Sequence, residues 1–249
     1  MTSRTLIINA DDLGYDPAVT RGILRAMREG VVSSTTLMVN TPYSEEAASG
    51  ARGLAVGLHL NLARGVPCSA GFPAALLAED GALVEAHAER LPAHVVEAET
   101  HAQLERLQAL LGAPATHIDV HKHLHRHPAI LEGLAAAARA ARLPVRSITA
   151  EMRSALHAAG VATNDHFIGD AGERAYWTEP EFEAQLASLP GAGVIELMCH
   201  PGYRPEQVKS GYAAQREVEL GTFLGARARS ALGHAGLMPA TYRVLHSQD

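Results

Sequence analysis

The chain has 249 residues, 47% hydrophobic and 19% charged, which is enough to bury a full core and argues against disorder. A net charge of −6 gives nucleic acid no basic patch, and no apolar run reaches the roughly 18 residues of a membrane span or the about 7–15 of a secretory leader. Cys68 and Cys199 stand far apart with no CxxC spacing, so neither a disulfide nor a structural zinc site is expected, and a reducing cytoplasm fits.

Short apolar, β-branched runs alternate with helical patterns. Thr5–Asn9 predicts the first strand, a polar turn follows, and a helix runs from about Ala18 to Glu29. Ser34–Val39 and Leu54–Leu60 read as the next two strands, separated by a helix near Tyr43–Ala51. From Ala63 to about Pro92 the rhythm breaks into a loop-rich insertion carrying Gly65, Pro67, Gly71, Pro73 and Asp80-Gly81. Thr116–Val120, Val145–Ile148, His166–Gly169 and Val194–Met198 complete seven predicted strands. Between them helices are expected near Val95–Leu111, Ala129–Ala141, Met152–Ala159 and Thr178–Leu189. Thr178 and Glu181 have the spacing of a capping box, and Pro128 suits a first helical turn. The end of the chain predicts a helical segment around Tyr212–Ser230 and a short strand Ala240–Leu245. Strands interleaved with helices imply a parallel sheet, and the length favours closure toward a barrel. No repeat or linker divides residues 1–249, so one domain is expected.

In parallel α/β proteins, side chains at the carboxyl ends of strands converge on the ligand site. Asp11 and Asp12 follow the first predicted strand, His59 and Asn61 close the third, and Asp119 and His121 close the fourth. Arg146 lies on the fifth and His200 follows the last apolar strand. Residues 117–127 also hold five of the fourteen histidines. Imidazole is the commonest protein ligand for transition metals. Histidines beside an acidic pair point to metal-assisted hydrolysis, one carboxylate on the metal and its neighbour moving protons.

Each motif alone has a plainer reading. An Asp-Asp pair before a helix is often a turn with an N-cap, His59 could be a satisfied core histidine, and His-x-His-x-His could be a solvated strand face. Four strand ends delivering Asp and His together is the stronger observation. Tyr176-Trp177 could stack on a sugar, but packing before the helix capped by Thr178 is the preferred reading.

Asn9-Ala10-Asp11-Asp12-Leu13-Gly14, Gly57-Leu58-His59-Leu60-Asn61-Leu62, residues 116–125 and Glu196-Leu197-Met198-Cys199-His200-Pro201-Gly202 occur in that order over essentially the whole chain. In order and spacing the chain resembles the YdjC-like carbohydrate deacetylases, a family that includes the chitooligosaccharide deacetylases; Ser33–Asn40 also fits. The resemblance implies an α/β fold, a (β/α) barrel that is incomplete or distorted, holding one divalent metal. It implies Asp12, His59 and His121 as metal ligands, Asp11 as general base (as in the related NodB-type polysaccharide deacetylases) and His200 as general acid. Asn61, His123, His125 and Arg146 are candidate substrate contacts. Magnesium or zinc would suit the mixed nitrogen and oxygen ligands, as would manganese or cobalt. The expected partner is an N-acetylated sugar or oligosaccharide, and the resemblance suggests a homodimer. One departure is Lys122, where the family often has a further histidine.

Competing readings are an amidohydrolase, a phosphoesterase, and a non-catalytic metal- or glycan-binding protein. An amidohydrolase would carry its His-x-His on the first strand, where this chain has Asp11-Asp12. A binding protein would explain the histidines but not the adjacent carboxylates or His200.

Overall fold

A computed structural model describes residues 4–246. Its framework is one curled, all-parallel sheet of β1 (Arg4–Leu13), β2 (Ser34–Leu37), β3 (Val56–Leu60), β4 (Ile118–Val120), β5 (His166–Ile168) and β6 (Gly193–Cys199), in the order β4-β3-β2-β1-β6-β5. Side chains alternate across a strand with period two, and here the alternation separates two chemistries. Leu6, Ile8, Ala10, Leu58, Leu60, Ile195 and Leu197 join the hydrophobic core beneath the helices. Asn9, Asp11, Thr36, His59, Asp119 and Glu196 take the other face and fill the inside of the curl with polar groups.

Helices α1 (Pro17–Glu29), α2 (Ser44–Ala51), α3 (Ala93–Leu111), α4 (Pro128–Ala141), α5 (Ala150–Ala158), α6 (Glu179–Ala187), α7 (Ala214–Leu224) and α8 (Ala226–His234) cover the sheet. Local sequence explains several boundaries. Asp16 caps α1 by accepting from Ala18 N at 2.8 Å, and Pro17 occupies a position whose N–H would be unpaired anyway. Val19, Gly22, Ile23 and Ala26 then fall on one buried stripe. The capping box between Thr178 and Glu181 forms at the start of α6. Among the described residues no helix is long and apolar enough to cross a membrane.

Three expectations are corrected. The sheet has six strands, not seven, because Val145–Ile148 is reduced to one bridge between Val145 and Ile118. Its backbone is engaged elsewhere: Val145 N donates to Ala162 O at 2.9 Å and Ser147 N to Asn164 Oδ1 at 2.8 Å. Ala240–Leu245 is likewise no strand. Ala240 alone pairs with Ile7, and Thr241 caps a 3-10 turn over Tyr242–Leu245. The single helix expected over 212–230 breaks at Gly225, which is extended (φ −64°, ψ 149°), into α7 and α8.

The insertion at 63–92 is ordered. It contains 3-10 turns at Ala74–Leu76 and Glu85–Arg90, buries Leu76, Leu83, Ala88 and Leu91, and is tied to α3 by Glu99, which accepts from Cys68 N and Ser69 N at 2.8 Å each.

At the closed end of the curl, His117 stacks on Tyr242 with ring centres 3.7 Å apart, and Gly57 leaves room for that histidine. A methyl group on Gly57 would sit 2.4 Å from the His117 ring. The stacked ring has nowhere to retreat, so Gly57→Ala should destabilise the fold by about 1–3 kcal/mol, the usual cost of overpacking. Denaturant unfolding should show a lower midpoint at unchanged slope; an unchanged midpoint would mean that His117 moves freely.

Candidate active site

Adjacent residues on a regular strand point to opposite faces, so Asp11 and Asp12 could not both serve one cavity without a distortion. The register of β1 against β2 shifts between Ala10 and Leu13, and Asp12 adopts φ +72°. Both carboxylates thereby reach a cavity of about 320 Å³, also lined by His59, His121, His123, His200, Tyr15, Arg64, Lys209, Tyr212 and Arg216. A second left-handed stretch, Lys122 (φ +56°) and His123 (φ +52°), turns the chain sharply after His121. Non-glycine residues at positive φ cost free energy and concentrate at functional sites. A larger hollow of about 760 Å³, near Met27, Arg229 and Met238, has no carboxylate or histidine on its walls among the described residues.

Asp12 Oδ1, His59 Nε2 and His121 Nδ1 form a triangle: 3.2 Å from Asp12 to His59, 3.1 Å from Asp12 to His121 and 3.2 Å between the two histidines. Two ligand atoms about 2.0–2.2 Å from one metal at tetrahedral or octahedral angles stand about 3 Å apart, as these do. Asp12 Oδ1 is buried yet has no hydrogen-bond partner among the described residues in spite of these short approaches. A bound cation would satisfy it. This buried group of one carboxylate and two imidazoles can hold a metal.

Its surroundings fix the ligands. His59 Nδ1 lies 2.6 Å from Asp119 Oδ1, which orients the ring so that Nε2 faces the triangle. Asp119 in turn accepts from Thr36 Oγ1 at 2.9 Å. Burial alone would lower the His59 pKa, but the carboxylates of Asp119, Asp12 and Asp11 push it up to about 10. Asp11, His59 and Asp119 also lie close enough to suggest a second metal group, but Arg146 already fills the space between the two carboxylates.

Arg146 is fully buried and does not line the cavity, which corrects its expected place as a substrate contact. Its guanidinium donates to both oxygens of Asp11 at 2.6 and 2.7 Å, and its Nη2 lies 2.9 Å from Asp119 and 2.6 Å from Glu196. Burial would raise the Asp11 pKa, yet the Arg146 charge and its paired hydrogen bonds hold the carboxyl far below the usual carboxylate range. Asn61 is also drawn away from the cavity. It is buried, donating to Asn40 Oδ1 at 2.7 Å and to Arg64 O at 2.8 Å. His125 is fully buried outside the cavity, whereas His123 reaches its wall and packs edge-on against Phe167.

His200 lines the cavity with Nδ1 unpartnered among the described residues, and burial lowers its pKa to about 4 despite the nearby Asp12 and Asp11. Its backbone N–H donates to Glu219 Oε2 at 2.6 Å, while Glu219 Oε1 receives the Tyr212 hydroxyl. Trp177 is buried, with Nε1 donating to Met198 O at 2.7 Å, so it packs and does not stack on a ligand. The aromatic walls are instead Tyr15 and Tyr212.

Sequence reasoning missed Arg216. On α7, a helix that reads as ordinary surface, it is buried and donates from Nη2 to Asp12 Oδ2 at 2.6 Å. No local signal marks it.

Glu219 provides a pH test. Burial raises its pKa from the usual 4.5 to about 7, so the folded protein holds this proton more tightly than the unfolded chain does. The favourable contribution of the protonated form is complete below about pH 4.5 and is lost as pH rises through about 7. Relative to Glu219→Gln, the wild-type chain should therefore lose about 3 kcal/mol of stability across that window. Denaturation midpoints of both proteins across the window would show it, and parallel curves would refute it.

The family model described as YdjC-like protein matches residues 5–234. The chain is 36% identical to a carbohydrate deacetylase of Brevibacillus brevis over 96% of its own length and 99% of that protein's. It is 34% identical to a chitooligosaccharide deacetylase of Serratia marcescens over 97% and 99%. Among solved structures, a protein of Enterococcus faecalis V583 described as a candidate cellobiose-phosphate cleavage protein superposes with a TM-score of 0.85 at 29% identity, covering 99% of this chain and 100% of that one. The Xyl-CE4 domain of a multidomain xylanase from the hindgut metagenome of Trinervitermes trinervoides superposes at 0.55 with 11% identity, covering 98% and 90%, a likeness of fold alone.

Proposed function

This chain belongs to the YdjC-like family, and from that premise we propose that it is a metal-dependent carbohydrate N-deacetylase that releases acetate from an N-acetylated sugar or oligosaccharide. The observation that carries the reading is the triangle of Asp12, His59 and His121 on a cavity whose walls also present Asp11 and His200. These three residues would hold one divalent cation, zinc and magnesium suiting the donor set best.

Hydrolysis of an acetamide adds water to the acyl carbon, breaks the C–N bond and requires a proton on the departing nitrogen. A metal on the triangle would polarise the acyl carbonyl and acidify the attacking water, which lets a carboxylate as weakly basic as Asp11 accept its proton. Arg146 keeps Asp11 ionised and fixes the direction of its oxygens. His200 would deliver the proton to the amine. Neutral at rest because burial lowers its pKa to about 4, it would have to gain a proton during the cycle, and the proton that Asp11 would take from water is the available source.

The rest of the substrate would extend over the mouth. Arg64, Lys209 and Asp170 line the cavity and would offer hydrogen-bonding groups to the sugar. The 63–92 insertion would contribute to this wall through Arg64 and through Glu85, which pairs with Lys122.

Acetate release from N-acetylated chitooligosaccharides should require divalent metal and stop with a chelator. His121→Ala should lose both metal, by elemental analysis, and activity. Asp11→Asn should keep its metal and lose about 10²–10⁴-fold in turnover, the usual worth of a positioned proton acceptor. Acetate release indifferent to chelator, or a fully metallated His121→Ala protein, would overturn the ligand assignment.

A further inference from the structure

Arg216 has more donors than its protein partners use. Nε donates to Tyr212 O at 2.9 Å and Nη2 to Asp12 Oδ2 at 2.6 Å. Nη1 is buried and has no hydrogen-bond partner among the described residues. The guanidinium carbon lies 5.4 Å from the centre of the Tyr15 ring and 5.9 Å from that of Tyr212, so the plane is held by two aromatic walls and two hydrogen bonds. A guanidinium cannot shed its charge, and leaving one of its donors buried and unpaired is costly. Such a donor is retained where a ligand completes it. Arg216 lines the cavity, and the carboxylate it grips presents its other oxygen to the ligand triangle. The guanidinium that carries Nη1 therefore lies beside the triangle.

We propose that Arg216 is a catalytic residue whose Nη1 donates to the acyl oxygen of the substrate and then to the acetate product, while Nη2 fixes Asp12. The assignment rests on the deacetylase reading. Chemistry favours the acyl oxygen over a sugar hydroxyl: it is the atom on which negative charge develops, and a preorganised cation is worth most there. The planar fork also lets one side chain serve two acceptors at once, Asp12 on one nitrogen and substrate on the other. A lysine in its place has a single nitrogen, which the Asp12 carboxylate would engage.

The test is acetate binding to the metal-loaded protein, by calorimetry and as product inhibition, in wild type and Arg216→Lys. With metal content equal by elemental analysis, acetate affinity should fall at least about 10-fold, as the loss of a hydrogen bond to a charged group implies. Turnover should fall more than KM rises. Unchanged acetate affinity, or a loss that only tracks metal loss, would overturn the proposal and make Arg216 a support for Asp12. A measurement on the unaltered protein covers a variant that fails to fold: the Arg216 guanidinium nitrogen resonances of 15N-arginine-labelled protein should shift on saturation with acetate, and resonances that stay put would refute the contact. Because binding of acetate is read directly, a wild-type protein that binds acetate through Arg216 but deacetylates no sugar would refute the substrate reading and leave this contact standing.

Discussion

One buried cation organises the interior. Arg146, with no exposed surface, faces Asp11, Asp119 and Glu196 at once. Each of those carboxylates comes from a different strand, so the guanidinium ties β1, β4 and β6 together at the level of the chemistry. Removing a partner from such a group leaves uncompensated buried charge, which is far costlier than replacing the whole set with apolar residues. The arrangement is therefore expensive as a source of stability. Its return is orientation: Asp11 is pinned by two parallel hydrogen bonds and Asp119 is aimed at His59.

From that constraint the division of labour between the two adjacent aspartates follows. Asp11 faces Arg146 and stays ionised, whereas Asp12 shares its oxygens between Arg216 and the two histidines. The bulge and positive φ at Asp12 let consecutive residues serve one cavity in two roles. A similar turn at Lys122 and His123 brings His121 to the triangle while sending His125 into the core. Strain in both places sits within two residues of a member of the triangle, and the parallel strands beneath hold it.

The polar inside of the curl is closed from below by the end of the chain. Tyr242 stacks on His117 and donates its hydroxyl to Glu196, which engages the Nε–Nη2 edge of Arg146 beside the Nη1–Nη2 edge taken by Asp11. On the other side, Asp16 accepts from the backbone of Glu206, Gln207 and Val208 at 3.1, 2.7 and 3.2 Å, so the turn after Asp12 also holds the loop that carries Lys209 into the cavity. The turn after the acidic pair and the loop that brings Lys209 to the cavity are thus one mechanical unit.

The sequence by itself determined the elements that local physics specifies. The apolar, β-branched runs Thr5–Asn9 and Val194–Met198, the capping box of Thr178 and Glu181, and the Asp and His residues at strand ends are all short-range patterns, and the sheet and the Asp12, His59, His121 grouping follow them. Only the tertiary structure decided where side chains of ambiguous meaning would lie. Arg146 and Asn61 looked like substrate contacts because they sit near strand ends, but whether such a group meets ligand or protein depends on partners distant in the chain. Arg146 finds Glu196, and Asn61 finds Asn40. Arg216 lies 204 residues from the aspartate it grips, on a helix whose sequence gives no hint that it is buried. Propensity and periodicity act over a few residues, whereas the cost of leaving a buried charge unpaired is settled across the whole fold, so that part of the site is fixed only when the strands close around it.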